Sequence, residues 1–348
     1  MTRLLSPALR RPFQRARTQP VDVGAVIADA LSAAGLTGGE MPFAQTGALR
    51  RPSFDLSALD LSALDRLPGG RGPLPAGSPS APPPVPEGGR WEARRHDGPD
   101  GARDYRLFVP EGNAPQGLLV MLHGCTQDPN DFARGTRMNH AAAQAGLAVA
   151  WPQQGPAHNM QSCWNWFRPE DQSREGGEPA ILAALARDVA AELDLPEGRM
   201  AVAGLSAGGA MAAILAVTHP DLFVAAGVHS GLPAGAARDV GSAFAAMRGG
   251  ALGTQGDGAP LIVLHGTADA TVSAANAEAL VPPGGTETTH AAGGRNWTRR
   301  VAPSGSELWR VEGAGHAWFG GDRAGSYADP LGPDASAEIV RFVRERMG

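Results

Sequence analysis

The chain has 348 residues, of which 43% are hydrophobic and 19% are charged, a composition typical of folded globular enzymes. Its formal net charge of -5 disfavours a nucleic acid as partner, because phosphate binding needs a clustered basic face and none of the motif-bearing segments supplies one. No run of apolar residues approaches the length of about 18 that a membrane span requires, so we expect no membrane partner.

The first part of the chain differs from the rest in composition. Residues 1–67 contain two short helical patterns, and residues 68–89 are almost wholly Pro, Gly, Ala and Ser. We interpret the first stretch as a partly disordered N-terminal extension and the second as a linker, because such a composition cannot bury enough apolar surface to fold. The extension is either a weakly ordered tail or a cap over the active site. Its N-terminus lacks the continuous apolar core of a secretory signal, which makes the cytoplasm the default location.

From residue 90 to residue 348 the sequence predicts one α/β domain. Apolar runs of strand length alternate with helical stretches, which is typical of a mostly parallel sheet flanked by helices. The predicted strands span residues 105–109, 118–123, 147–151, 200–205, 224–229, 261–265 and 308–311. The predicted helices span residues 179–192, 209–218 and 335–346.

Residues 200–214 predict a nucleophile elbow, a sharp turn from a strand into a helix with a reactive side chain at its apex. Ser206 lies between Gly204 and Gly208 in this segment. The Gly-x-Ser-x-Gly pattern alone is weak in a chain with 47 glycines. The apolar run before it and the alanine-rich helix after it are the features that identify Ser206 as the candidate nucleophile.

A serine hydroxyl needs a general base, and a carboxylate to orient that base. In hydrolases with such an elbow the acid follows the serine along the chain, at the end of a later strand. Asp269 fits because it directly follows the apolar run of residues 261–265. Asp257 precedes that strand and Asp322 comes after the last candidate histidine, so neither occupies the expected position.

The candidate base is His316, in a loop of small residues after the strand of residues 308–311. His265 precedes the acid at a strand end, where a structural histidine bonded to a loop is expected. His290 lies in a polar stretch without a strand pattern. The order serine, aspartate, histidine therefore selects His316.

Attack on a carbonyl produces an oxyanion, which needs two backbone N–H groups aimed at it. Ala207, directly after the nucleophile, is expected to supply one of them. The loop after the strand of residues 118–123 is expected to supply the other, with Gly124 allowing the backbone to bend and the Cys125 N–H as donor. The Cys125 side chain is not a nucleophile candidate, because no histidine is placed to activate a thiol.

Five ordered motifs together resemble one known family. They are His123-Gly-Cys125-Thr-Gln, Gln161-Ser-Cys163-Trp-Asn-Trp-Phe, Gly204-Leu-Ser206-Ala-Gly-Gly-Ala-Met, His265-Gly-Thr-Ala-Asp269 and Gly315-His316-Ala-Trp318. With these motifs, residues 103–320 resemble the poly(3-hydroxybutyrate) depolymerase family of serine esterases, which is similar to feruloyl and acetylxylan esterases. The resemblance implies an α/β-hydrolase fold in which Ser206, Asp269 and His316 are the catalytic triad and Cys125 with Ala207 forms the oxyanion hole.

The same resemblance implies a disulfide between Cys125 and Cys163. A disulfide would point to a secreted or periplasmic location instead of the cytoplasm. Aromatic side chains clustered in the tryptophan-rich motif and beside His316 would offer a flat apolar face to a substrate, although filling the core is as good an interpretation of them, and Gln127 is a candidate polar contact. These candidates are Trp164, Trp166, Trp318 and Gln127.

The sequence thus predicts a carboxylic ester hydrolase that acts through an acyl-enzyme. The expected substrates are short-chain polyhydroxyalkanoate-type polyesters or their oligomers, and feruloyl or acetylxylan esters of plant polysaccharides are the alternative. No cofactor and no metal are expected, because the dinucleotide fingerprint, the Walker loop and the HExxH motif are all missing from the sequence. The sequence makes no prediction of oligomeric state.

Overall fold

The computed structural model describes residues 80–112, 114–250 and 255–348. The predicted extension of residues 1–67 and most of the predicted linker lie outside the described residues. In the described part, ten strands form one sheet in the spatial order β1-β2-β4-β3-β5-β6-β7-β10-β9-β8. These strands are β1 (Arg90–Gly98), β2 (Gly101–Val109), β3 (Gly117–Leu122), β4 (Leu147–Pro152), β5 (Met200–Leu205), β6 (Ala226–His229), β7 (Leu261–Gly266), β8 (Thr286–Ala292), β9 (Arg295–Val301) and β10 (Glu307–Val311).

The middle of the sheet is parallel and its two edges are antiparallel. Strands β4, β3, β5, β6, β7 and β10 run parallel to one another. The hairpin of β1 and β2 closes one edge, and the hairpin of β8 and β9 closes the other. Because the parallel strands all end at the same edge of the sheet, the loops that follow β3, β5, β7 and β10 meet there.

Helices cover both faces of this sheet and enclose two apolar cores. One core contains α3 (Gly177–Glu192) and α4 (Ala207–Thr218). The other contains α1 (Pro129–Thr136), α2 (Met138–Gln144) and α7 (Ala335–Arg344). Two short helices, α5 (Val240–Ala245) and α6 (Ala275–Leu280), follow β6 and β7. Strands β3, β4, β5 and β7 are buried along their whole length, as a sheet covered on both faces requires.

The prediction of a mostly parallel sheet flanked by helices is confirmed, and each strand and helix predicted within residues 90–348 is present with the same or slightly different bounds. The prediction around His290 was wrong, because this residue lies in β8, every residue of which is exposed. An edge strand with solvent on both faces has no alternation of apolar and polar residues to detect. Within the described ranges, no helix is both long and apolar enough to cross a membrane.

Candidate active site

The candidate nucleophile lies at the sharp turn between β5 and α4. Ser206 has φ 58° and ψ -119°, a backbone conformation that L-residues rarely adopt, and its N–H donates to the His229 carbonyl oxygen at 2.9 Å. A Cβ at Gly204 would come within 2.7 Å of the Leu122 carbonyl oxygen, and one at Gly208 within 2.6 Å of the His123 carbonyl oxygen. Both motif glycines are therefore required by the close contact between the elbow and the end of β3.

The candidate acid lies in the loop after β7, and the backbone of this loop holds its carboxylate. Asp269 Oδ1 accepts the N–H groups of Thr271 and Val272 at 2.9 and 2.8 Å. Asp269 Oδ2 accepts Nδ1–H of His316 at 2.7 Å. The aspartate side chain is fully buried and the histidine side chain is 6% exposed. The acid and the base predicted from sequence are thus brought into direct hydrogen-bond contact.

A second histidine also approaches this carboxylate. His265 Nε2 donates to the Val272 carbonyl oxygen at 2.8 Å and lies 3.4 Å from Asp269 Oδ2. Burial by itself would raise the pKa of Asp269, but hydrogen bonds from His265 and His316 and the charges of the two rings hold that pKa well below its usual range. The carboxylate is therefore ionised throughout the pH range in which enzymes are assayed.

Backbone hydrogen bonds join the loop of the acid to the loop of the base. Thr267 N–H donates to the Val311 carbonyl oxygen and Ala268 N–H to the Ala314 carbonyl oxygen, both at 3.0 Å. The Thr267 hydroxyl in turn accepts Gly313 N–H at 2.9 Å. The contact between the carboxylate and the imidazole is consequently built into the crossing of two loops.

His229 at the end of β6 connects the elbow to the base loop. Its carbonyl accepts the Ser206 N–H, its Nε2 accepts the Phe319 N–H at 3.3 Å, and its ring stacks on Trp318 with centroids 4.9 Å apart. Burial lowers the pKa of His229 well below its usual value, so the ring stays neutral. Among the described residues, the Ser206 hydroxyl has no hydrogen bond to His316. Bonds of this kind are often long until a substrate is bound.

The loop after β3 has one unused backbone donor. Gly124 N–H donates to the Gln127 side-chain oxygen at 3.0 Å, Thr126 N–H to the Gln161 carbonyl at 2.7 Å, and Gln127 N–H to the Gly124 carbonyl at 3.4 Å. The Cys125 N–H has no hydrogen-bond partner in the described part of the chain. Cys125 is only partly buried, and a backbone donor without a protein partner beside the elbow is available to a ligand.

The second predicted donor, the Ala207 N–H, begins α4 and also lacks a partner among the described residues. The first N–H groups of a helix have no partner within the helix, and the helix dipole adds positive potential at this end. A Cβ at Gly124 would lie 3.7 Å from Ser206 Cβ, so the two loops that carry the unused donors are in contact at the elbow.

The disulfide between Cys125 and Cys163 that the family resemblance implied is present, with Cα atoms 4.2 Å apart. It joins the loop after β3 to the tryptophan-rich loop. Because Cys125 also carries the unused N–H, this covalent link restrains the position of a candidate oxyanion donor.

The predicted substrate contacts lie mostly in the interior. Trp164 and Trp318 have 0% and 1% of their surface exposed, so neither ring offers a face to a substrate, and Trp166 is 6% exposed. Gln127 is also buried, and its side chain bridges Gly124 N–H and Asp131. Core packing and loop support account for these positions.

His123 and His229 also belong to the site, a role not predicted from the sequence. Both are fully buried polar side chains at or just beyond the carboxyl end of a central parallel strand. A polar residue at that end of an otherwise apolar strand faces the loops of the site in α/β folds. This position is the signal that could have identified them.

Comparison with known proteins shows to which family the chain belongs. Residues 103–283, more than half of the chain, match the family described as Esterase PHB depolymerase. The chain belongs to this family. Poly(3-hydroxyalkanoate) depolymerase C of Paucimonas lemoignei is 33% identical over 186 residues, covering 48% of this chain and 44% of that protein. Feruloyl esterase B of Neurospora crassa is 31% identical over 136 residues, covering 38% and 45%.

This member of the esterase PHB depolymerase family thus spans less than half the length of those two relatives. Among solved structures, an acetyl xylan esterase from Aspergillus awamori matches with a TM-score of 0.59 at 18% identity. The match covers 73% of this chain and 99% of that one. At this identity the likeness shows a shared fold.

Proposed function

We propose that the chain is a serine esterase that hydrolyses carboxylic ester bonds through an acyl-enzyme. The observation that carries the proposal is the 2.7 Å hydrogen bond between His316 and the buried carboxylate of Asp269, formed at the edge of the sheet where Ser206 occupies a strained elbow. Membership of the esterase PHB depolymerase family supports the same chemistry.

In the proposed reaction, His316 Nε2 removes the Ser206 hydroxyl proton while the serine oxygen attacks the ester carbonyl carbon. Asp269 keeps the proton of His316 on Nδ1, which leaves Nε2 free to act as base. The same carboxylate stabilises the imidazolium that forms. The histidine then protonates the departing alcohol, and in the second half it activates a water that releases the acid from Ser206.

The oxyanion of each tetrahedral intermediate is assigned to the N–H groups of Cys125 and Ala207. Neither has a protein partner among the described residues, and the loops that carry them are in contact at Ser206. Donors that are fixed before the reaction need no reorganisation as charge develops, and removing one typically lowers kcat by about 10²- to 10³-fold.

The proposed substrates are short-chain polyhydroxyalkanoate-type polyesters or their oligomers. The relative with 33% identity bears the name poly(3-hydroxyalkanoate) depolymerase, which supports this class. Feruloyl or acetylxylan esters are the second candidate, because relatives with those names match over 136 and 139 residues.

The experiment compares wild type, Ser206→Ala and the exposed control Ser304→Ala on p-nitrophenyl butyrate. We expect the Ser206 variant to lose all but a trace of activity and the control to keep it. Retention of more than a few per cent by Ser206→Ala in a clean preparation would place the nucleophile elsewhere. A panel of 3-hydroxybutyrate oligomers, alkyl esters and methyl ferulate then ranks the two substrate classes by kcat/KM.

A further inference from the structure

Two consecutive carbonyl groups in the loop after β3 accept hydrogen bonds from aromatic rings. Trp164 Nε1–H donates to the His123 carbonyl oxygen at 3.1 Å, and His123 Nδ1 lies 2.8 Å from the Gly124 carbonyl oxygen. The Cys125 carbonyl oxygen accepts the Thr126 hydroxyl at 2.6 Å. The carbonyl groups on both sides of the unused N–H are therefore held in place.

The hydrogen bonds of His123 define its protonation. A carbonyl oxygen can only accept, so Nδ1 facing Gly124 carries a proton. Nε2 accepts the Gln154 N–H at 3.1 Å, so this nitrogen carries none. The ring is fully buried, and burial lowers the pKa of His123. The side chain is thus one neutral tautomer with both nitrogens bonded.

The bond from His123 also determines where the next N–H points. The Gly124 carbonyl and the Cys125 N–H belong to one planar trans peptide, in which the two groups point in opposite directions. Holding the carbonyl against the His123 ring therefore turns the N–H away from that ring. Without this bond the Gly124 carbonyl keeps only the 3.4 Å hydrogen bond from Gln127 N–H, so the direction of the Cys125 N–H is held less firmly.

We infer that His123 is a positioning residue for the oxyanion, acting through the Gly124–Cys125 peptide. Trp164 fixes the preceding peptide in the same way. This inference rests on the proposed function and deepens it, because it assigns the buried tryptophan loop to transition-state stabilisation. Gln154 connects the same residues to the other end of the disulfide, since its Nε2 donates to the Cys163 carbonyl at 2.9 Å.

The contribution should appear in the chemical step. Oxyanion donors act on charge that exists only in the transition state, so loss of orientation lowers kcat and leaves KM nearly unchanged. Because deleting one donor costs about 10²- to 10³-fold, misorienting one is expected to cost about 10- to 100-fold.

Two amide variants separate this role from a general role in packing. His123→Asn carries an N–H close to the position of Nδ1 and can still donate to the Gly124 carbonyl. His123→Gln carries its amide near the position of Nε2, which leaves that carbonyl with only the 3.4 Å hydrogen bond from Gln127 N–H. Both remove a buried ring, so similar losses of unfolding free energy are expected. On p-nitrophenyl butyrate, kcat should fall about 10- to 100-fold for Gln and less than about fivefold for Asn.

A second pair tests the same inference where the histidine variants fail to fold. Trp164→Phe removes the indole N–H together with part of the ring system, and Trp151→Phe is the matched control because it removes the same atoms from a fully buried indole that donates to Asn139 at 3.1 Å. We expect kcat to fall severalfold for the first and to stay constant for the second. The Ki of an alkyl trifluoromethyl ketone, which forms a tetrahedral oxyanion on Ser206, should rise by the factor by which kcat/KM falls.

Equal kcat for the two His123 variants, or equal kcat for the two tryptophan variants, would overturn the inference. An unchanged Ki for the ketone would overturn it as well. These results are distinct from failure of the proposed function. That failure would appear earlier, as an inactive wild type or an active Ser206→Ala.

Discussion

Replacing Asp269 by asparagine tests how the carboxylate acts, because the structure dictates which way the new amide must face. Two backbone donors, Thr271 N–H and Val272 N–H, point at Oδ1 at 2.9 and 2.8 Å. The amide oxygen has to remain there, since turning the NH₂ group towards two donors would leave them unpaired. The NH₂ group of the asparagine therefore faces His316.

The consequence is a change of tautomer. The NH₂ group can only donate, so His316 Nδ1 has to become an acceptor and its proton moves to Nε2. Nε2 is the atom that should take the Ser206 proton, and with a proton already present it cannot act as base. Variants of this kind in other triads lower kcat by about 10⁴-fold, which corresponds to about 5.4 kcal/mol of activation free energy.

The assay is kcat on p-nitrophenyl butyrate at pH 7.5, with active enzyme counted by burst titration. Asp322→Asn is the matched control. The Asp322 carboxylate also accepts a backbone N–H, from Ala324 at 2.9 Å, but it lies at an exposed site outside the proposed triad. It should keep full activity. If Asp269→Asn retains kcat within tenfold of wild type while folded, the carboxylate does not set the tautomer of His316 and the reasoning fails.

Two further changes test parts that support the site, and a third tests His219, a buried histidine directly after α4. Gly208→Ala should destabilise the fold by at least about 2 kcal/mol and abolish most activity, because the new Cβ overlaps the backbone of β3 at the Leu122 carbonyl; urea unfolding measures the loss. Cys163→Ser should lower the free energy of unfolding by up to about 4 kcal/mol, because the disulfide closes a loop between cysteines 38 residues apart and so restricts the unfolded chain. It should lower kcat by a larger factor than it changes KM. Burial and two nearby arginines lower the pKa of His219 to about 4 in the folded protein. Since the unfolded chain binds this proton at a pH of about 6.5, the free energy of unfolding should fall by up to about 3 kcal/mol as the pH drops from about 6.5 to 4. His219→Asn should flatten the plot of unfolding free energy against pH in this range, and an unchanged slope would contradict the attribution of this pH dependence to His219.

The central sheet and the three triad candidates could be predicted from the sequence because of how a buried parallel sheet is built. Strands buried on both faces must be continuous apolar runs, and β3, β5 and β7 each end where polar or glycine residues begin. Residues at those ends lie at one edge of the sheet whatever the details of packing. The order Ser206, Asp269, His316 then follows from strand order, and the contact between the last two is present at 2.7 Å.

The parts that sequence reasoning did not reach depend on pairing or on tertiary contact. Strand β8 is exposed throughout and owes its existence to its partner β9, although the Gly293-Gly294 turn with φ of 57° and 78° was a usable hairpin signal. The complete burial of Trp164 and Trp318 was not predictable, because an aromatic residue in a loop motif is equally consistent with core packing and with a substrate-binding surface.

The roles of the buried histidines show why composition and spacing cannot specify such a site completely. His229 accepts through its carbonyl the N–H of the strained Ser206, and its ring accepts Phe319 N–H while stacking on Trp318. A strained elbow persists only where its surroundings overdetermine it. His229 thus helps to hold the elbow through its backbone carbonyl, and the loop that follows His316 through its neutral, buried ring. The placement of the nucleophile relative to the base loop therefore depends in part on packing around His229, which spacing along the chain does not specify.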